Sequence, residues 1–231
     1  MIKIIPTITT TSGSDWRKKV EEVKNIGLEE VCLFPTCLDK KERQEVYQLL
    51  GKSKIKRIPF VHIRNDMDLK ELDFLVEKFN VQVFNIHSQS EYPIIYDYSK
   101  YKEIIFVENV LKPLNEEEVR KFRGICMDIS HLENDRILNR ERFECNVAML
   151  EKYTIGCNHI SCITEDIRID EVERCPRRDS HFLKNFSDLD YLKKYSLRYF
   201  SPFIALELEN SIEEQLKAKD YIMGIFKDKG Q

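Results

Sequence analysis

Eight short runs of apolar and β-branched residues, separated by longer amphipathic stretches, most constrain what this chain can fold into. Most of the runs are continuous rather than alternating in polarity, which is typical of strands buried on both faces. A strand followed by a helix, repeated along one chain, predicts a parallel sheet. The runs are Ile2–Ile8, Glu30–Phe34, Ile58–His62, Val81–His87, Ile104–Glu108, Gly124–Ile129, Ile155–Ile160 and Phe203–Glu209.

The connections between the runs carry apolar residues at helical spacing. Ser14 is placed to cap one of the stronger helices, Asp66 precedes a second, and Ser211 precedes a third near the end of the chain. The fourth connection, Glu91–Lys102, is rich in tyrosine and has room for only a short helix. Weaker helical patterns occupy Asp39–Leu50, Asn115–Lys121, Glu141–Tyr153 and Ser187–Tyr195.

Eight strand–helix units in 231 residues favour a closed (β/α)8 TIM barrel over an open, doubly wound α/β sheet. No glycine-rich phosphate loop follows the first strand, which weighs against a dinucleotide-binding fold. No linker or low-complexity segment interrupts the pattern. We therefore expect a single TIM-barrel domain over residues 1–231.

Charge and cysteine content narrow the class of protein. The formal net charge of −3 does not favour a generally basic nucleic-acid binder, so such binding would need a local patch. The seven cysteines include no CxxC pair and follow no apparent secretion signal, so we expect reduced thiols in a cytoplasmic protein. No apolar run is long enough to span a membrane.

Polar residues close the predicted strands three to eight, and all five histidines of the chain are among these residues or in the loops that follow. In barrel enzymes the chemistry takes place at the carboxyl ends of the strands. The residues are His62, His87, Glu108, Asp128, His131, His159, Asp179, His181 and Glu207.

The types of these side chains indicate a divalent metal. Imidazole and carboxylate together suit zinc, with manganese or iron as alternatives. Glu108, Asp128 and Glu207 lie where the chain is otherwise apolar. Burying several carboxylates without cations is costly, and a metal cluster removes that cost.

The order of the nine residues resembles the endonuclease IV family of apurinic/apyrimidinic endonucleases, within the xylose-isomerase-like barrels. That family builds a trinuclear zinc site from His, His, Glu, Asp-x-x-His, His, Asp-x-His and Glu. The resemblance implies one ion on His62, His87 and Glu108. It implies a second on Glu108, Asp128, His159 and Glu207, and a third on His131, Asp179 and His181.

The resemblance also implies hydrolysis of a phosphodiester, with DNA containing an abasic site as the family case, and Glu108, Asp128 and Glu207 at the catalytic centre. A second hypothesis is a sugar or sugar-phosphate isomerase or epimerase with one or two ions on Glu108, Asp128, His159 and Glu207. A third is a barrel that keeps the ligands but acts as a binding or regulatory protein. No residue pattern predicts the oligomeric state.

Two choices near the site stay open. Glu207 and Glu209 point to the same face of the eighth strand, and we prefer Glu207 because it follows the apolar run directly. Arg64, two residues after His62, is the best single candidate for a phosphate contact. Ser161–Phe186, predicted to be irregular, is the longest such stretch, and its arginines either bind phosphate or belong to a solvated loop.

Overall fold

The computed structural model describes residues 2–170 and 174–229. It confirms the predicted α/β TIM barrel: nine parallel strands form one sheet in the order β1-β11-β8-β7-β6-β5-β4-β3-β2. The strands of this sheet are β1 (Lys3–Ile5), β2 (Thr7–Thr9), β3 (Cys32–Phe34), β4 (Phe60–His62), β5 (Val83–His87), β6 (Ile105–Glu108), β7 (Gly124–Asp128), β8 (Ile155–Ile160) and β11 (Phe203–Leu206).

The first predicted strand is divided in two at Pro6. β1 pairs with β11, whereas β2 pairs with β3, so this one segment joins the two edges of the sheet. Proline has no N–H to donate to a neighbouring strand, and the change of partner falls at the residue that cannot continue the ladder. The Pro6 carbonyl still accepts a hydrogen bond from the Cys32 N–H at 2.9 Å.

The helices largely follow the predicted amphipathic stretches. One predicted cap was wrong: Asp15 rather than Ser14 caps α1, because its carboxylate accepts the Lys18 N–H. Asp66 precedes α3, and Asp68 is the residue that caps it. The fourth connection holds only a 3-10 turn, Ser99–Tyr101, as expected. The α-helices are α1 (Trp16–Ile26), α2 (Lys40–Gly51), α3 (Leu69–Phe79), α4 (Glu116–Lys121), α5 (Ile129–Leu138), α6 (Arg140–Lys152) and α7 (Ile212–Lys229).

One helix and one hairpin were not predicted. Helix α5 starts directly after β7, and every residue from Ile129 to Asp135 is buried, so it lacks the one-sided apolar pattern that marks a surface helix. Most of Ser161–Phe186 is not an irregular loop but an antiparallel hairpin of β9 (Cys162–Ile169) and β10 (Pro176–Ser180). Glu171–Glu173 lie outside the described residues.

Side chains inside the barrel form a separate core beneath the carboxyl ends of the strands. This core is built from Ile5, Cys32, Phe34, Phe60, Val83, Phe106, Cys126, Cys157 and Ala205. Two larger apolar clusters fill the space between the sheet and the outer helices. Among the described residues, none of the helices is long and apolar enough to cross a membrane.

Candidate metal centre

Strand alternation places the predicted ligands one layer above the barrel core. Successive residues of a strand point to opposite faces, so residues two apart share a face. Core residue and ligand candidate therefore follow each other at this spacing on four strands and across the end of β11. The pairs are Phe60 and His62, Phe106 and Glu108, Cys126 and Asp128, Cys157 and His159, and Ala205 and Glu207.

The first group consists of His62, His87 and Glu108, whose candidate ligand atoms lie within 4.8 Å of one another. The Nε2 atoms of the two histidines are 2.9 Å apart. They lie 3.1 and 3.7 Å from Glu108 Oε2. The Nδ1–H of His62 donates to the Ile63 carbonyl at 3.1 Å, which leaves its Nε2 lone pair facing the group.

The second group shares Glu108 and adds Asp128, His159 and Glu207, again within 4.8 Å. His159 Nδ1 lies 3.2 Å from Glu108 Oε1, 3.3 Å from Glu207 Oε2 and 4.0 Å from Asp128 Oδ2. Glu108 thus directs one oxygen to each group, which is the arrangement of a carboxylate that bridges two cations.

The third predicted set is only partly brought together. His131 Nε2 lies 3.7 Å from Asp179 Oδ2, whereas His181 Nε2 lies 3.9 Å from Glu207 Oε1. Within the part of the chain that the structure describes, these three residues do not form a group of mutual neighbours like the other two. The third ion therefore stays a prediction.

Electrostatics at the centre reflect dense burial of opposite charges. Burial favours the neutral acid, but His159 and His62 hold the pKa of Glu108 well below its usual range. Burial is likewise outweighed at Glu207, where His181 and His159 lower the pKa to about 2. For Asp128, burial wins and raises the pKa.

The histidines divide into two kinds. Burial, with a smaller effect of His62, lowers the pKa of His87 to about 4, so this ring is neutral near pH 7. Burial would also lower the pKa of His131 and His159, but nearby groups reverse its effect. Asp128 raises the pKa of His131, while Cys126 and Glu108 raise that of His159.

Several polar atoms of the centre have no hydrogen-bond partner among the described residues. They include Asp128 Oδ2, both ring nitrogens of His159, Asp179 Oδ1, His181 Nε2 and Glu207 Oε2. Buried polar groups in folded proteins are almost always satisfied. Among them, the unpartnered atoms of Asp128, His159 and Glu207 belong to one group of candidate ligands and fit a divalent cation.

Supporting residues fix the orientation of the candidate ligands. Asn85 Nδ2 donates to Glu108 Oε2, and Ser130 Oγ donates to Asp128 Oδ1. The Nδ1–H of His131 donates to the Asn109 carbonyl at 3.0 Å, so its Nε2 faces Asp179. Sequence reasoning missed these partners, although Asn85 shares the face of His87 on β5.

A cavity of about 310 Å³ opens above the two groups. Its wall includes His62, His87, Glu108, His131, His181 and Glu207, together with Arg64, Tyr92 and Arg177. The Tyr92 ring packs against His87 with centroids 5.0 Å apart. This cavity gives a small molecule, or part of a larger one, direct access to the candidate ligands.

The two open choices differ in geometry. Glu207 joins the second group, whereas Glu209 accepts a hydrogen bond from Thr11 Oγ1 at 2.6 Å, outside both groups. The Arg64 guanidinium lines the cavity but is already engaged: it donates to both oxygens of Asp66 and to the Thr36 carbonyl. Its capacity to contact a phosphate is correspondingly reduced.

Cys126 and Cys157 are fully buried inside the barrel, consistent with small core residues. The Cys126 sulfur also lies close enough to Glu108 and His159 for these three residues to hold a metal ion together. The signal in the sequence is its position two residues before Asp128, on the same face.

Comparison with known proteins supports the fold. No protein-family model and no curated protein matches the sequence. A xylose-isomerase-like TIM-barrel protein from Mycobacterium smegmatis, in complex with magnesium, is similar at TM-score 0.53 and 11% identity, over 98% of this chain and 97% of that one. The chain therefore has the fold of the xylose-isomerase-like TIM barrels.

Two other solved structures are more distant. A family 2 AP endonuclease from Brucella melitensis has a TM-score of 0.43 at 11% identity, covering 94% of this chain and 97% of that one. A D-tagatose 3-epimerase-like protein has a TM-score of 0.44 at 14% identity, covering 98% of both chains. Likeness at this level does not separate a hydrolase from an isomerase.

Proposed function

We propose that this protein is a divalent-metal-dependent phosphodiester hydrolase whose centre resembles that of the apurinic/apyrimidinic endonucleases. The observation that carries the proposal is the presence of two groups of candidate ligands that share Glu108. A mononuclear isomerase needs only Glu108, Asp128, His159 and Glu207, yet His62 and His87 converge on the other side of Glu108. Paired metal sites that share a carboxylate are typical of enzymes that cleave phosphate esters.

In this proposal His62, His87 and Glu108 hold one ion, and Glu108, Asp128, His159 and Glu207 hold another. When bound, such ions supply Lewis-acid polarisation of a phosphoryl oxygen and activation of a water molecule. Asn85 and Ser130 keep the carboxylates in place through their hydrogen bonds. Ligands held by such outer partners keep their geometry during turnover.

The substrate class is proposed as a phosphodiester, with DNA containing an abasic site as the family-implied case. A third ion is proposed at His131, Asp179 and His181, because both histidines direct Nε2 toward a carboxylate of the centre. We expect His181→Ala to remove about one metal ion per chain and most hydrolysis while the fold stays intact.

Elemental analysis of the purified chain, paired with activity assays, tests the proposal. We expect at least two ions of zinc, manganese or iron per chain, and cleavage of an abasic-site duplex or of bis(p-nitrophenyl) phosphate that EDTA abolishes. A fully loaded protein with one ion per chain, active on sugars and inactive on phosphodiesters, overturns the hydrolase in favour of an isomerase.

His87→Ala separates the two activities within one chain. This change removes a ligand of the first group and leaves all four residues of the second group in place. For a two-metal hydrolase we expect loss of one ion and of phosphodiester cleavage. A mononuclear isomerase would instead keep its ion and its activity on sugars.

A further inference from the structure

One buried arginine at the cavity has unused hydrogen-bond donors. Arg177 lies on β10, is 6% exposed, and lines the cavity beside His131 and His181. Its Nε and Nη1 have no hydrogen-bond partner among the described residues. The nearest carboxylate oxygen, Asp179 Oδ1, is 3.6 Å from Nη1, beyond a normal hydrogen bond.

The neighbouring arginines of the same rim are engaged. Arg168 donates through Nε and Nη2 to the Asp179 carbonyl, at 3.1 and 2.9 Å. Arg178 donates to the carbonyls of Thr164 and Glu165, at 2.8 and 2.7 Å, and Arg64 is held by Asp66. Arg168 and Arg178 thus brace the hairpin, whereas Arg177 lines the cavity and keeps two buried donors without a hydrogen-bond partner among the described residues.

The cause of this difference is the alternation of β10. Arg177 and Asp179 are buried on one face of the strand, and Arg178 between them is only partly buried. The inward face therefore delivers one carboxylate and one guanidinium to the metal centre. The register of the β9–β10 pairing shifts between positions 177 and 179, and the two side chains form an ion pair at 3.6 Å without a hydrogen bond.

A buried guanidinium with unmade hydrogen bonds is costly unless a ligand completes them. Its planar fork of N–H groups matches the oxygens of a phosphoryl group better than it matches a sugar hydroxyl. We infer that Arg177 binds the phosphoryl group of the substrate beside the metal centre. This inference rests on the proposed hydrolase and deepens it, because it makes Arg177 rather than Arg64 the anion contact.

The test uses inorganic phosphate as the probe and the full, metal-loaded chain, with free metal removed before calorimetric titration. We expect Arg177→Met to weaken phosphate binding about tenfold to a hundredfold, the range for a hydrogen bond to a charged group. Metal content by elemental analysis should be unchanged. Arg64→Met should cause a smaller loss. Arg17→Met is the control, because Arg17 is exposed on α1 and paired with Glu45.

Two further measurements keep the test decisive if Arg177→Met folds poorly. Arg177→Lys keeps the positive charge but loses the planar fork, so phosphate binding should still weaken. In Arg177→Ala, added guanidinium ion should restore part of the phosphate affinity. Unchanged phosphate affinity in Arg177→Met, or equal losses in Arg177→Met and Arg64→Met, would overturn the assignment.

The same experiment separates this inference from the proposed function. Loss of metal from Arg177→Met would indicate that Arg177 acts as the counter-ion of Asp179, which would overturn the inference. The proposed hydrolase activity of the unaltered chain would not be affected by that result. An unaltered chain that binds phosphate through Arg177 but holds one ion and cleaves no phosphodiester would overturn the hydrolase alone.

Discussion

Two buried polar clusters of this barrel differ in how fully they satisfy themselves. Between α2 and α3, Arg43 donates through Nε and Nη2 to the two carboxylate oxygens of Glu71, at 2.7 and 2.9 Å. Its Nη1 donates to the Leu38 carbonyl, and Tyr47 donates to Glu71 at 2.8 Å. At the mouth of the barrel, the equally buried Asp128 and His159 keep unpartnered atoms.

The difference teaches how to separate structural from functional burial of charge. The Arg43–Glu71 cluster contains its own counter-charges and donors, so it is complete without a ligand. The candidate metal centre gathers Glu108, Asp128 and Glu207 around His159, and atoms of Asp128, His159 and Glu207 have no hydrogen-bond partner among the described residues. An added cation supplies what is missing there, and nothing comparable is missing beneath α2.

The largest expected effect comes from breaking the complete cluster. Glu71→Ala leaves Arg43 buried without its carboxylate, and removal of one member of a buried pair costs about 3–5 kcal/mol of unfolding free energy. Urea unfolding measures the loss. Glu45→Ala is the matched control, because its pair with Arg17 on the surface is exposed and should change stability little. Equal losses in both variants would contradict the comparison.

Next in size is the loss of function when the shared carboxylate is changed. Mutating a residue that only supports a metal ligand lowers affinity or activity about tenfold to a hundredfold. Glu108 is itself a candidate ligand, so Glu108→Gln should lower hydrolysis by more than about a hundredfold. Steady-state rates with added metal provide the measurement. Glu209→Gln, on the rim beside Thr11, should stay near the unaltered rate. A modest effect of Glu108→Gln would argue against a bridging role.

A smaller effect is expected on stability when metal is added. A cation that binds only the folded chain stabilises it by about 2.7 kcal/mol at a concentration one hundred times its Kd. The midpoint of the unfolding transition should therefore rise when manganese or zinc is added and fall back when EDTA removes the metal. Glu108→Gln should lose this response, whereas Glu71→Ala, though less stable, should retain it.

The smallest effect is the pH dependence of metal affinity. Asp128 raises the pKa of His131, and Cys126 and Glu108 raise that of His159, so protons compete with a cation for these rings at higher pH than for an ordinary histidine. Affinity should therefore rise with pH, by at most about tenfold per unit for each displaced proton. Titrations of metal into the metal-free chain across pH 6–8 measure the slope.

The variants of two histidines sharpen that result. His131→Ala should reduce the slope, because one displaced proton is lost. His87→Ala should weaken binding without changing the slope, since burial keeps the pKa of His87 at about 4 and its neutral ring releases no proton when a cation binds in this range. Identical slopes in all three proteins would place the displaced protons elsewhere.

Much of the fold could be predicted because local patterns and tertiary structure agree. Continuous apolar runs such as Val81–His87 read as strands buried on both faces, and most amphipathic stretches became helices. Helix α5 escaped prediction because it is buried on all sides of its first turns, which removes the apolar period. The hairpin β9–β10 escaped because five exposed residues at the end of β9 mix apolar and charged side chains.

The sequence alone determined the barrel, the alternation of strands and helices, and the order of nine candidate ligands. These depend on local periodicity and on residue types at strand ends, both of which are written along the chain. Only the tertiary structure decided that Glu108 lies between two groups, that Glu207 rather than Glu209 joins them, and that Arg177 has free donors. Such facts depend on register, strand stagger and competition for hydrogen bonds between residues far apart in sequence, which no local pattern encodes.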